Sequence, residues 1–288
     1  MQSFVSVTSS PLDTAEKKHS DLLVRLAVAI PALLLLAAVI YIHGLFAKIT
    51  VSLIHLLCVQ EILNAVSSFS APFRAISYGF PMLLLPAFMA LDGSAGAGLL
   101  LTLGLMLVFI ALLLSHRKAV DGAFTVLPML YPGLFFASIY DLLFLPEKRV
   151  SQFLLIVALG CAVVTDTFAY LGGSMLGRHK LIERVSPHKT VEGALCGLLF
   201  GAVYVYVIGS QIQPFFGVRL PNLVYAALGI LLSVFSQFGD LAASYLKRLF
   251  GIKDFGRILG PHGGMLDRLD SMLFLAPIVN LFYRFCIA

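Results

Sequence analysis

Long unbroken apolar runs dominate this chain, and they leave very few folds open to it. The run that starts at Gly96, GAGLLLTLGLMLVFIALLL, contains no charged residue, and similar runs recur from Leu26 to the carboxy terminus. Crossing the hydrocarbon layer as a helix takes about 20 apolar residues. By that measure the sequence holds about nine spans, starting near Leu26, Val51, Ile76, Gly96, Ala123, Phe153, Val191, Leu223 and Met265. The runs far exceed the roughly 9–11 residues of a barrel strand, and a helix satisfies its own backbone polar groups in lipid. The expected fold is an all-α polytopic membrane protein. Composition agrees, with 59% of 288 residues hydrophobic and only 12% charged. No segment is long and polar enough for a soluble domain, so any chemistry belongs at or inside the membrane.

The chain divides into a polar tail (1–25), an amino-terminal bundle (26–150) and a carboxy-terminal region (151–288) that gathers the chemistry. The tail lacks a small-residue cleavage site before the late first apolar run, so that run reads as a retained span. With about nine spans, the tail shares a side with the loops between spans 2/3, 4/5, 6/7 and 8/9. Arg74, Arg117, Lys118, Arg178, Lys189, Lys247, Arg248, Lys253 and Arg257 fall on that side. Lys48, Lys148, Arg149, Arg219 and Arg284 fall on the other. This bias places the tail and the basic loops in the cytoplasm, as for a bacterial-type plasma-membrane protein. Cys58, Cys161, Cys196 and Cys286 lie in apolar spans without CxxC spacing and read as ordinary buried thiols.

Polar residues concentrate where they are costly. Asp166 lies inside the sixth span and Asp240 inside the eighth. An intramembrane carboxylate needs a cation or a proton. Asp267 and Asp270, spaced i, i+3 at the start of the ninth span, share one helix face. Carboxylate oxygens from separate helix ends suit Mg²⁺, with water and phosphate oxygens completing its shell. The alternative is an intramembrane salt bridge, Asp240 with Lys247 or Asp267 with Arg268 of a neighbouring subunit. Spacing alone leaves both open. Glu61, near the end of the second span, reads as a helix-end acid that snorkels or pairs with Arg74, in preference to a site residue.

Lys247, Arg248, Lys253 and Arg257 crowd a loop that also carries Gly251, Gly256, Gly260, Gly263 and Gly264. Glycines let backbone amides approach an anion, and the start of the next helix adds a positive dipole end. Attraction to anionic lipid explains such charge but not the His262-Gly263-Gly264 turn. A second constellation, Ser186-Pro187-x-Lys189-Thr190-x-Glu192-Gly193, reads as a loop entering a helix, with Ser186 or Thr190 near the cap. Neither a P-loop, nor HExxH, nor a GxSxG elbow occurs. Asp121-Gly122-Ala123-Phe124 begins like the motif of enzymes that consume CDP-activated lipids and then departs from it.

These residues resemble the phosphatidate cytidylyltransferases (CDP-diacylglycerol synthases). Ser244, Lys247, Arg248, Lys253, Asp254, Gly256, His262, Gly263, Gly264, Asp267, Arg268 and Asp270 fall in register with that family's carboxy-terminal signature. Asp166-Thr167-x-Ala169-Tyr170 and the Ser186–Gly193 segment also match family motifs. His188 replaces a usual lysine, Val191 a usual tryptophan and Ala243 a usual glutamate, and Gly260-Pro261 reverses the common order. The resemblance implies transfer of CMP from CTP to phosphatidate, giving CDP-diacylglycerol and pyrophosphate. It implies Mg²⁺, with or without a second cation, held by Asp240 and Asp267 with Asp270 and Asp166 assisting. Lys189, Lys247, Arg248, Lys253 and Arg268 would share the phosphate charge, with Arg178, Ser186, Thr190, Glu192, Asp254, His262, Gly263 and Gly264 lining the substrates. Expected partners are CTP, phosphatidate and the bilayer; a homodimer is compatible, and no nucleic acid is expected. An ion-coupled transporter would explain Asp166 and Asp240 equally well, but not the acid, base and glycine run around the 8/9 loop. A nucleotide-dependent lipid kinase of the same fold would release nucleoside diphosphate instead of pyrophosphate.

Overall fold

Helices account for nearly all regular structure, as the apolar runs require. The computed structural model describes residues 30–91, 94–260 and 263–288, so the tail expected at 1–25, Pro261 and His262 lie outside the described residues. In chain order come α1 (Ile30–Ile42), α2 (Gly44–Val66), α3 (Arg74–Ala90), α4 (Ser94–Leu114), and α5 (Ala119–Pro128). A kinked segment (Met129–Leu134) links α5 to α6 (Phe135–Leu143), and α7 (Lys148–Leu176) follows. Then come α8 (Val191–Ile212), α9 (Asn222–Leu249) and α10 (Leu266–Cys286). Among the described residues 7 helical segments are long and apolar enough to cross a membrane, α5 through α6 counting as one of 25 residues. The shorter apolar helices α1 and α3 complete the set expected from the sequence; α3, 17 residues long, carries Pro81 and Pro86. Exposed Leu103, Met106, Phe109 and Leu113 give α4 the apolar outer face of a lipid-embedded helix.

The chain is all-α as expected, with one small addition to the bundle. Between α7 and α8 a short antiparallel hairpin forms from β1 (Lys180–Ile182) and β2 (Ser186–Thr190), pairing Lys180 with Thr190 and Ile182 with Ser186. Pro187 cannot sit in a helix interior, and a cap residue must be extended, so the segment before α8 has no helical option. Thr190 is that cap: its backbone is extended and its Oγ1 accepts the Gly193 N–H at 3.1 Å.

Helices α7, α8 and α9 pack with their backbones nearly touching, because small residues line the seam. A Cβ at Gly193 would stand 2.5 Å from Ala169 O, and one at Gly197 2.8 Å from Thr165 O. Gly201, one further turn along, lies against Thr165 and Ser233 side chains. Lipid tails are as apolar as leucine, so close van der Waals approach drives helix association here. Gly193→Val is therefore expected to destabilise the protein by about 1–3 kcal/mol through overpacking. The check is its unfolding midpoint in detergent of fixed composition, against that of a conservative change on the lipid face such as Leu199→Ile.

Candidate active site

Three helices deliver four carboxylates to one region: α7 brings Asp166, α9 brings Asp240, and α10 brings Asp267 and Asp270. The crossing of α9 and α10 is set by Gly239, where a Cβ would stand 2.6 Å from Asp270 O and 3.0 Å from Ser271 Cα. Ser271 then ties two acids together. Its Oγ donates to Asp166 Oδ2 at 3.0 Å, and its N–H donates to Asp270 Oδ1 at 2.7 Å. Asp240 is within electrostatic range of both Asp166 and Asp270. Lys189, projecting from β2, forms an ion pair with Asp240. Asp166, Lys189, Thr190, Gln237 and Asp240 line an open cavity of about 430 Å³. Asp166 is exposed, and the space it faces is this cavity.

The loop between α9 and α10 is organised by Asp267 and by a fifth carboxylate, Glu61. Asp267 Oδ1 pairs with Lys247 Nζ at 2.9 Å, while its Oδ2 accepts the N–H groups of Phe255 and Gly264, each at 2.9 Å. Of the salt bridges considered from the sequence, the one between Asp240 and Lys247 is replaced: Asp240 takes Lys189, and Lys247 pairs with Asp267. Glu61 reaches the same loop from α2, accepting Met265 N–H at 2.8 Å and Leu266 N–H at 2.9 Å. The first amides of a helix have no partner within it, and a carboxylate there satisfies them and complements the dipole. Glu61 is 2% exposed, so its expected snorkelling or pairing with Arg74 is corrected to a buried clamp on α10. The glycines follow from this clamp. A Cβ at Gly264 would lie 2.6 Å from Glu61 Oε1, Gly256 also abuts Glu61, and Gly263 has a φ of +83°. The anions that these amides approach are the protein's own carboxylates.

Comparison with known proteins decides the family. The family model described as "Cytidylyltransferase family" matches residues 23–286. The chain belongs to the cytidylyltransferase family. Among its relatives, the phosphatidate cytidylyltransferase of Staphylococcus aureus strain COL is 32% identical over 274 residues, covering 90% of this chain and 97% of the relative. The phosphatidate cytidylyltransferase of Staphylococcus saprophyticus is 32% identical over 268 residues, with the same coverage.

In this cytidylyltransferase, a nucleotidyltransferase, the remaining residues singled out in the sequence sort by position. Arg248 Nε donates to Val185 O at 3.3 Å and so fastens the hairpin to α9. Lys253 and Asp254 are exposed on the loop, Asp254 beside Gly263. Arg268 is exposed, lies within electrostatic range of Asp166, and edges an apolar groove of about 380 Å³ walled by Leu36, Ile54, Phe136 and Met272. Glu192 accepts the Arg178 N–H at 3.1 Å and pairs with His179 Nδ1 at 2.6 Å. Arg178 and Glu192 line a separate depression, away from the Asp240 cavity. Ser186 is half-buried in β2, and His262 lies outside the described residues. Asp121 serves the fold, accepting Ser70 Oγ at 2.5 Å and Ala71 N–H at 2.9 Å at the start of α5.

Whether these carboxylates can house a divalent metal depends on the oxygens they leave open. Among the described residues no three His, Cys, Asp or Glu side chains converge into a ready cage. Mg²⁺ seldom uses one, and takes one or two carboxylates with substrate phosphates and waters. Asp240 and Asp267 each hold a lysine ammonium, which marks two places where positive charge is already stabilised. Each carboxylate oxygen has about two acceptor positions, so both acids keep lone pairs for a cation. The donor set fits a Mg²⁺ site completed by substrate.

Proposed function

We propose that this cytidylyltransferase transfers CMP from CTP to phosphatidate, releasing pyrophosphate and forming CDP-diacylglycerol at the cytoplasmic face of a bacterial-type plasma membrane. The observation that carries the reading is a set of two lysine–carboxylate pairs, Lys189 of the hairpin with Asp240 inside α9 and Lys247 near the end of α9 with Asp267 at the start of α10. Such a site handles polyanions. The names of the relatives supply the lipid, and the apolar groove edged by Arg268 supports it, because it would seat acyl chains beside a phosphate-binding cation.

The phosphomonoester of phosphatidate is already an anionic nucleophile, so the reaction needs little general-base help. An oxygen of that phosphate attacks the α-phosphorus of CTP; the bond to the β-phosphate breaks, and its electron pair leaves with pyrophosphate. The protein's tasks are to bring two polyanions together, align them, and offset charge on the leaving group. Lys189 and Lys247, now paired to Asp240 and Asp267, stand ready to turn towards phosphate oxygens. Arg268 would hold the lipid phosphate at the groove's edge, and Lys253 the nucleotide from the exposed loop. Asp240 and Asp267, with Asp166 and Asp270, would hold Mg²⁺, which supplies charge neutralisation between the phosphates when bound.

Purified protein incubated with CTP, Mg²⁺ and phosphatidate is expected to release one pyrophosphate per CDP-diacylglycerol formed, and none without the lipid. Release of nucleoside diphosphate, or no lipid-dependent pyrophosphate, would overturn the assignment.

A further inference from the structure

The fifth crossing breaks where it meets the carboxylates. Tyr131, in the kink between α5 and α6, precedes Pro132 and has φ −128° and ψ 114°, the extended conformation favoured before proline, here inside a membrane span. Irregular backbone at membrane depth is tolerated where protein buries it or where it lines a cavity. The Tyr131 ring is held by two aromatic neighbours, Phe135 at 5.6 Å and Phe274 at 6.3 Å between centroids. Phe274 sits one turn beyond Asp270 on α10, and its Cβ lies 3.1 Å from where a Gly239 Cβ would be, next to Asp240. This packing brings the Tyr131 hydroxyl within electrostatic range of Asp240, Asp267 and Asp270.

The side chain is only 9% exposed, and among the described residues its hydroxyl has no hydrogen-bond partner. Buried tyrosine hydroxyls usually find a partner, and leaving one without is costly. A rigidly held O–H donor among carboxylates that already carry lysines is complementary to an oxyanion brought in with its own cations. We propose that Tyr131 is a substrate-binding residue whose hydroxyl donates a hydrogen bond to a phosphoryl oxygen seated against the carboxylate cluster. The inference rests on the function proposed above for what carries the phosphate, the lipid phosphomonoester or the nucleotide.

The test is Tyr131→Phe in the full chain, followed by thermal unfolding in detergent or nanodiscs. Midpoints are read for the protein alone, with Mg²⁺ and short-chain phosphatidate, and with Mg²⁺ and CTP. Removing an unpartnered hydroxyl should leave the unliganded midpoint unchanged or raise it, where a structural hydroxyl would lower it. Affinity for one ligand should fall about 10- to 100-fold, the range of a hydrogen bond to a charged group. A loss confined to phosphatidate places the hydroxyl on the lipid phosphate; one confined to CTP places it on the nucleotide. A lowered unliganded midpoint, or undiminished stabilisation by both ligands, overturns the proposal. The midpoints report binding alone. A parent chain that binds both ligands without turnover therefore sinks the reaction and not this contact, while a parent chain that binds neither sinks both.

Discussion

Asp240→Asn is expected to lower turnover of CTP with phosphatidate about 10³-fold or more while the protein stays folded, in the range of losses seen when a group acting on the transition state is removed. The change conserves volume and the Ser244 contact, in which Ser244 Oγ lies 3.4 Å from Asp240 Oδ1. What it removes is charge. Asp240 is the acid that Lys189 reaches from the hairpin and the one that shares the open cavity with Asp166. Without it, Lys189 loses its holding partner, and on the proposed function a divalent cation would lose a carboxylate oxygen, so that the offset of pyrophosphate charge would weaken. Asp141→Asn is the control, because Asp141 lies at the far end of α10 from Asp270, accepting Asn280 Nδ2 at 2.7 Å. Turnover per folded molecule, measured on monodisperse protein, should collapse for Asp240→Asn and persist for Asp141→Asn. An Asp240→Asn enzyme retaining a tenth of its turnover would remove Asp240 from the site.

The bundle was legible because lipid imposes one rule on every span, and apolar runs from Leu26 to the ninth span obey it. The acids were legible too, since Asp166 and Asp240 stand out against apolar surroundings. Their convergence came from the family resemblance and not from spacing. Ser271 bonds to Asp166 across 105 residues, and no spacing rule for one helix reaches that far. Pairing was not fixed by the sequence for the same reason. Lys247 lies on the same helix as Asp240, yet the hairpin offers Lys189 to Asp240 and the loop folds Asp267 back onto Lys247. Gly193, Gly197 and Gly201 recur at helical spacing and could have been read as a packing seam, but apolar context hides small residues among large ones. Tyr131 carried no signal at all. Its meaning comes from an interrupted helix and an unpartnered hydroxyl, both properties of the fold.

Glu61→Ala is expected to destabilise the protein by about 3 kcal/mol or more, the largest effect on stability among the changes considered. Two N–H groups at the start of α10 would lose charged acceptors, each worth about 1.5–3 kcal/mol, and be left buried with a void beside them. Glu61 sits on α2, 204 residues from Met265 and 205 from Leu266, so this contact also closes the amino-terminal bundle onto α10. Activity should fall with it, because Asp267 follows Leu266 directly and depends on Gly264 N–H for its orientation. Glu61→Gln separates the two roles. Its single carbonyl oxygen can keep one amide, while its NH₂ group faces the other N–H, so destabilisation should be smaller than for alanine and activity partly kept. Hydrogen exchange at the amides of Gly264 to Leu266 is the direct measurement. Exchange should quicken strongly in Glu61→Ala and less in Glu61→Gln. Unchanged protection at those amides in the alanine variant would mean that α10 is held by other contacts, and that Glu61 is a bystander at its end.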